Sequence, residues 1–380
     1  MSKRDFQKIT WCQAVEDDFR NILEQAIRED VESIGDLTSL ALIPERAKGC
    51  ASVISRSEGI LAGMPTVPVI LEVLCPEVTW KPWVADGVRI GRGAKIGTLR
   101  GPARGLMQVE RLILNFLARL SGIASTTDLY VQAIAGSGAA VYDTRKTTPG
   151  WRLLEKYAVQ CGGAKNHRSG LYDAILIKDN HLALAAGRAG LGALEYNPAE
   201  AVRQVRAFLT QQDELGPRPP VQCRDCSPSI RKMRSALIAA VAEATGSTML
   251  SSIIAKTPGY IIEQARKQHG EVPREPAMNF PAKEVIVEVE VDTFQQFESV
   301  LSADPDIIML DNMSVDLMRQ AVLLRNERKP WIELEASGGI TLNTIQRVAE
   351  TGVERISVGA LTHSFQMFDL GLDWEDPDKL

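Results

Sequence analysis

Asp306-Ile307-Ile308-Met309-Leu310-Asp311-Asn312 sets the pattern for the second half of this 380-residue chain. A compact apolar run stops at two polar residues. Five more runs of this kind occur at 139–142, 174–177, 285–291, 331–334 and 356–358. Helical stretches lie between them, including 315–324 and 342–350. Strand-like runs alternating with helices predict a parallel sheet, either closed as a barrel or open and doubly wound. The runs end in Asp143-Thr144-Arg145-Lys146, Lys178-Asp179-Asn180, Glu290 with Asp292, Asp311-Asn312, Glu335-Ala336-Ser337-Gly338-Gly339 and Gly359-Ala360. In an α/β barrel the strand C-termini meet at one rim, and active sites are built there.

The first part of the chain has a different rhythm. Phe19, Ile22, Leu23, Ala26 and Ile27 recur at helical spacing within 17–30. After Gly35-Asp36-Leu37-Thr38, short apolar runs at 51–54, 59–63, 88–90 and 95–99 are punctuated by Gly87, Gly91, Gly93 and Gly97. That spacing predicts strands of an antiparallel α+β module. A long apolar helix is expected over 107–120, ending near Ser121-Gly122.

One interval breaks the second rhythm. From Ile177 to Val285 is 285 − 177 = 108 residues, whereas a plain βαβ crossover needs about 30. A polar, Pro-rich loop (211–220) leads to Ser227-Pro228, an N-cap and first-turn signal before Ile230, Met233, Leu237 and Val241, with a stop at Gly246. A second helical stretch at 260–269 and another Pro-rich loop at 272–281 follow. The interval predicts an inserted helical subdomain, at about 205–283.

The net charge is −5, so no basic field argues for nucleic acid, and anionic ligands would need locally concentrated positive charge. Six irregularly spaced cysteines do not form a disulfide framework. The first residues, Met1-Ser2-Lys3-Arg4-Asp5-Phe6, have no apolar leader pattern, and no run of about 18 apolar residues offers a membrane span. A cytoplasmic protein is expected. Cys223-Arg224-Asp225-Cys226 stands alone, without the second pair that zinc would need. His269 and His363 are given no role, and the acidic end at 373–378 reads as a solvated tail.

The chemistry is expected at the strand ends. Ser337-Gly338-Gly339 follows a strand and precedes a helix expected over 341–350, so bare N–H groups would face an anion. Gly359-Ala360 after the next strand matches the phosphate site often formed after the last two barrel strands. Read singly, each glycine pair is equally a turn. Arg145, Lys146, Arg168 and Lys178 add four cations, with His167 beside Arg168. Such a group suits a small polyanion, because arginine grips carboxylates bidentately. Glu290 and Asp311 are placed to hold sugar hydroxyls or a divalent metal, and Mg2+ prefers oxygen ligands with substrate phosphates. His181 is a candidate support for Lys178.

The motifs at 143–150 (DTRKTTPG), 166–173 (NHRSGLYD) and 177–181 (IKDNH) resemble those of the quinolinate phosphoribosyltransferases, also called nicotinate-nucleotide pyrophosphorylases. Glu110-Arg111 with Leu114-Asn115-Phe116-Leu117, Ser121-Gly122-Ile123-Ala124, 287–292 (VEVEVD), 310–313 (LDNM) and 335–340 (EASGGI) extend the resemblance to nearly the whole chain except the insertion. It implies an N-terminal α+β open sandwich at 1–128 and an incomplete, seven-stranded α/β barrel at 129–362. The tail at 363–380 is expected to pack on the sandwich.

The resemblance also implies a reaction. Quinolinate and phosphoribosyl pyrophosphate would give nicotinate mononucleotide, pyrophosphate and carbon dioxide, with Mg2+ as cofactor. Subunits of a homodimer or higher oligomer would share sites. Arg145, His167, Arg168 and Lys178 would bind quinolinate, with Arg111 entering from the neighbouring subunit. Lys146 would meet substrate or pyrophosphate, and Glu290 and Asp311 the ribose and its magnesium. Ser337, Gly338, Gly339, Gly359 and Ala360 would cradle the 5′-phosphate. No covalent nucleophile is required, so positioning and electrostatics would supply most of the rate. Ala164 stands where a third glycine is expected before Asn166-His167-Arg168. Three rivals are a paralogue acting on another small acid, such as the family associated with molybdenum transport, a non-catalytic scaffold, and an ordinary sugar-phosphate barrel enzyme. The last explains the phosphate loop but not the grouped Arg and His.

Overall fold

All six apolar runs are strands of one parallel sheet: β6 (Ala140–Tyr142), β7 (Ile175–Ile177), β8 (Val287–Val291), β9 (Ile307–Asp311), β10 (Glu333–Ser337) and β11 (Arg355–Ser357). The computed structural model describes residues 4–32, 34–188, 197–214 and 284–375. The strand order is β6-β11-β10-β9-β8-β7. Every pairing is parallel, for example Leu334 with Ile308 and Ile356 with Ala336. The middle strands are buried along almost their whole length, as parallel strands covered on both faces must be.

The seventh strand implied by the resemblance is reduced to one residue. Lys165 makes a single parallel bridge to Tyr142, with Lys165 N–H donating to Val141 and Asp143 N–H donating to Lys165. The bridge puts Asn166-His167-Arg168 at the end of the sheet beside β6. Polar side chains dominate this segment, so no apolar run announces it.

The first part contributes strands β1 (Lys48–Ser55), β2 (Gly59–Ile60), β3 (Thr79–Pro82), β4 (Arg89–Ile90) and β5 (Lys95–Pro102). An antiparallel sheet orders them β12-β1-β5-β3, its edge being β12 (Leu370–Trp374), and β2 pairs separately with β4. The acidic end is therefore a strand as far as Trp374. Asp373 pairs with Arg56, and Glu375 accepts from Lys95 and Ser52, which hold its carboxyl down to about 2. Those contacts correct the solvated tail expected there; residues 376–380 lie outside the described residues.

The helices in chain order are α1 (Gln13–Asp30), α2 (Leu37–Leu42), α3 (Thr66–Leu74), α4 (Ala103–Ala133), α5 (Arg152–Cys161), α6 (Asp179–Arg188), α7 (Pro198–Glu214), α8 (Phe294–Leu301), α9 (Val315–Arg328), α10 (Ile345–Ala349) and α11 (Ala360–His363). Val15, Phe19 and Leu23 form the buried stripe of α1 at spacing of four. Asp36 caps α2, accepting from Thr38 and Ser39 N–H. Among the described residues no helix is long and apolar enough to cross a membrane.

Two expectations are corrected here. Helix α4 does not stop near Ser121-Gly122 but runs 31 residues, through both positions and through 128. Gly122 serves close packing instead, since a Cβ there would lie 2.2 Å from the Gln366 carbonyl. Ser121 Oγ accepts from Ala62 N–H and Ser125 Oγ from Ile60 N–H, so both hydroxyls tie the helix to the neighbouring chain. The helix expected over 341–350 is only Ile345–Ala349, because Thr341 N–H donates to Thr344 Oγ1 in a turn before it.

The chain divides into two units, residues 1–203 with 286–380, and 204–285. In the second unit α7 continues through 211–214, where a loop was expected. The remainder of the expected insertion, with Cys223, Cys226 and His269, lies outside the described residues.

Candidate active site

The C-terminal ends of the parallel strands surround a cavity of about 540 Å³. Thr144, Arg145 and Lys146 come from beyond β6, His167 and Arg168 from the bridge segment, and Lys178 from beyond β7. Strand β8 brings Glu290, β9 brings Asp311 with Asn312 next to it, and β10 brings Ser337 ahead of Gly338 and Gly339. Leu176, Met309 and Ser357 complete the floor. Ten sequence-predicted residues thus meet in one mouth: Arg145, Lys146, His167, Arg168, Lys178, Glu290, Asp311, Ser337, Gly338 and Gly339.

The remaining three lie elsewhere. Gly359 and Ala360 do not line the cavity; Gly359 abuts it through Lys146, since a Cβ there would lie 3.1 Å from Lys146 Cδ and 3.0 Å from His363 Nε2. His363, given no role from sequence, thus shares the space against Gly359 with that lysine. Arg111 is exposed on α4 and does not reach the cavity of its own chain.

On the bridge-segment side, Arg145 and Arg168 lie close enough for their charges to oppose each other. Burial and Arg145 both lower the Arg168 guanidinium from its ordinary range. Arg168 Nη1 donates to the Ala174 carbonyl at 3.0 Å, while Nε of Arg168 and Nε of Arg145 are buried without a partner. Buried donors without partners are costly, and an anionic ligand would satisfy them.

His167 is held at three polar atoms, while its buried Nε2 makes no hydrogen bond. Its backbone N–H donates to Asp143 at 2.8 Å, its carbonyl accepts from Lys156 at 2.8 Å, and its Nδ1 accepts from Arg168 N–H at 2.9 Å. Asp143 and Lys156 also pair with each other in full burial. Nε2 lies 3.0 Å from Glu288 and 3.5 Å from Glu335, both buried in the strand interior. Burial opposes charge on this imidazole, the two acids favour it, and the net shift is upward. Burial and Glu288 push Glu335 up to about 7. These three groups are near enough to share a cation. The bond accepted at Nδ1 nevertheless leaves the proton on Nε2, which makes that nitrogen a donor rather than a metal ligand.

Across the mouth, Glu290, Asp292 and Asp311 bring one carboxylate oxygen each within 4.8 Å of one another. Lys178 Nζ pairs with Glu290 at 2.5 Å, and His181 Nδ1 accepts from Lys178 N–H at 3.0 Å. Burial raises Glu290 and Asp292, and Asp311 raises both further. Two raised acids facing a third carboxylate fit a divalent cation, which would relieve the repulsion on them. Asp292, only one position beyond β8, is the third member that the sequence reading left without a role.

The glycine turn is built for a backbone approach. Gly338 and Gly339 have φ of 92° and 60°, in the left-handed region. A Cβ on Gly338 would lie 2.2 Å from Asn312 Oδ1. Asn312, itself left-handed at φ 54°, donates its N–H to the Ser337 carbonyl and its Nδ2–H to Asp311, linking acid to turn. Since α10 starts only at Ile345, the anion would meet bare N–H groups of the turn rather than a helix end.

Comparison with known proteins gives the chain's family. Residues 36–121 match the quinolinate phosphoribosyl transferase N-terminal domain, and 123–214 with 270–373 match the C-terminal domain. The chain is 32% identical over 358 residues to the nicotinate-nucleotide pyrophosphorylase (carboxylating) of Mycobacterium leprae, covering 93% of this chain and 96% of that one. It is 31% identical to quinolinate phosphoribosyltransferase (decarboxylating) 1b of Nicotiana tabacum, covering 93% and 82%. The solved nicotinate-nucleotide pyrophosphorylase of Francisella tularensis superposes with a TM-score of 0.68 at 27% identity, over 98% of this chain and 100% of that one. The chain belongs to the quinolinate phosphoribosyltransferase family.

Proposed function

We propose that the protein joins quinolinate to phosphoribosyl pyrophosphate, releasing pyrophosphate and carbon dioxide to give nicotinate mononucleotide. The observation that carries this reading is the pair Arg145 and Arg168, with partnerless buried Nε atoms in the same mouth as an acid trio and a glycine cradle. Two adjacent carboxylates on one ring match two adjacent guanidinium groups. A monocarboxylate would leave one of them unmatched.

His167 and Arg168 would orient the dicarboxylate so that the ring nitrogen faces the ribose. The bare N–H groups of Gly338 and Gly339 would hold the 5′-phosphate. Glu290, Asp292 and Asp311 would hold Mg2+, which when bound neutralises charge on the departing pyrophosphate. Lys146, exposed at the rim, would meet that pyrophosphate. The nitrogen–C1 bond forms as the C1–oxygen bond breaks. The pyridinium then accepts the electron pair as the C2–carboxylate bond breaks, and C2 takes up a proton. Exposure of Arg111 on its own chain supports a homodimer in which this arginine completes the neighbour's site.

The test is direct. Pure protein is incubated with Mg2+, phosphoribosyl pyrophosphate and either quinolinate or nicotinate, and carbon dioxide and mononucleotide are measured. Turnover with quinolinate is expected. Turnover with nicotinate alone would refute the substrate.

A further inference from the structure

The support beneath His167 comes from the far end of the chain. Phe6 is buried in a cluster with Tyr142, Ala174, Ile286 and Ile307. Ala174 and Ile286 immediately precede β7 and β8, and Ile307 opens β9. Phe6 therefore packs at the N-terminal ends of β7, β8 and β9 and against the Tyr142 side chain that ends β6. Its ring centroid lies 4.3 Å from that of His167, with the planes tilted by 31°.

The segment around Phe6 is tied down by polar contacts as well. Asp5 accepts from Lys165 Nζ at 2.8 Å, from Tyr142 hydroxyl at 3.1 Å and from Arg355 Nη1 at 3.1 Å. Arg355 also stands over the Phe6 and Tyr142 rings. Ile9 N–H donates to Asn166 Oδ1 at 2.8 Å. Two of these anchors, Lys165 and Asn166, immediately precede His167. Residues 5–9 lie ahead of both stretches that match the family models.

The imidazole accepts from Arg168 N–H at Nδ1, while Nε2 lies beside Glu288 and Glu335 without a hydrogen bond to either. Neither contact resists tilting of the ring out of its plane; Phe6 does. We propose that Phe6 is a positioning residue for quinolinate binding, bracing the face of His167 that turns away from the substrate. The proposal rests on the substrate reading given above.

Phe6→Ala should raise the KM for quinolinate about tenfold or more, the scale of a small misplacement, and leave the KM for phosphoribosyl pyrophosphate within about twofold. Phe6→Leu, which keeps most of the volume, should recover most of the loss and serves if the alanine variant does not fold. A second readout needs no turnover. The chain has four histidines, so 15N spectra of histidine-labelled protein, assigned with His167→Gln, report one ring at a time. Wild-type His167 should show a single Nε2–H tautomer, and Phe6→Ala, or Phe6→Leu if that is the variant that folds, should lose that single pattern. Failure of the wild type to use quinolinate would refute the substrate and leave the spectroscopic arm to decide the bracing. An unchanged tautomer, or both KM values moving together, would overturn the role of Phe6.

Discussion

Glu335→Gln should uncouple stability from pH in a window the buried acid controls. Glu335 is fully buried, and its carboxyl is raised from an ordinary 4.5 to about 7 by burial and by Glu288. Below pH 4.5 the group is protonated whether the chain is folded or not. Between 4.5 and 7 the folded chain keeps a proton that the unfolded chain has released, so stability falls as pH rises. Above 7 the loss is complete. At roughly 1.4 kcal/mol per tenfold in proton affinity, the fall between pH 5 and pH 8 is about 2 to 3 kcal/mol. Glutamine keeps the shape and removes the proton. The assay is urea unfolding of wild type and variant at several pH values from 5 to 8, compared at equal slope. Other raised acids, Asp143 and Glu290 among them, tilt both curves alike, so the difference between the curves reports Glu335 together with the Glu288 and His167 whose charges it faces. The variant should gain on the wild type by that amount across the window. Parallel curves would refute the reasoning.

Arg168→Ala should raise the KM for quinolinate by about ten- to a hundredfold, the worth of a charge-assisted hydrogen bond or two; an unchanged KM in steady-state kinetics would remove Arg168 from the pocket. Gly338→Ala should weaken phosphoribosyl pyrophosphate binding, because the new Cβ would collide with Asn312 and the left-handed backbone would be strained by about 1–3 kcal/mol. Calorimetric binding as tight as wild type would show the turn is not the cradle. Arg111→Ala subunits mixed with Lys178→Ala subunits should recover activity that neither has alone, and no recovery in confirmed mixed dimers would argue against shared sites.

The parallel sheet was legible because its strands are apolar along their length and stop at charged residues. Asp311, Lys178 and Ser337 all fall where an apolar run ends, and the fold brings those ends together. What escaped notice was carried by other signals. The bridge at Lys165 has no apolar run, since its neighbours Asn166 and His167 are spent on hydrogen bonds. Strand β3 has mostly exposed side chains, so nothing in its pattern marks burial. Ser121-Gly122 read as a stop because serine and glycine usually end helices, whereas here small size admits the Gln366 backbone. Phe6 contacts His167 across 161 positions, and no periodicity encodes a contact of that kind.

Helix α4 gives the protein a single strut. Its Ser121 and Ser125 hydroxyls hold the antiparallel module, while Arg119 reaches Thr148 and Glu155, and Phe116 stacks on Trp151, beside the parallel sheet. An incision at 128 would cut through a continuous helix and strip the shared apolar side chains Leu112, Ile113, Phe116, Leu117 and Leu120 from whichever fragment lost them. Neither piece would keep its core, so the first unit should melt as one body, with the rim that gathers the cations falling apart in the same step as the sheet near the start of the chain.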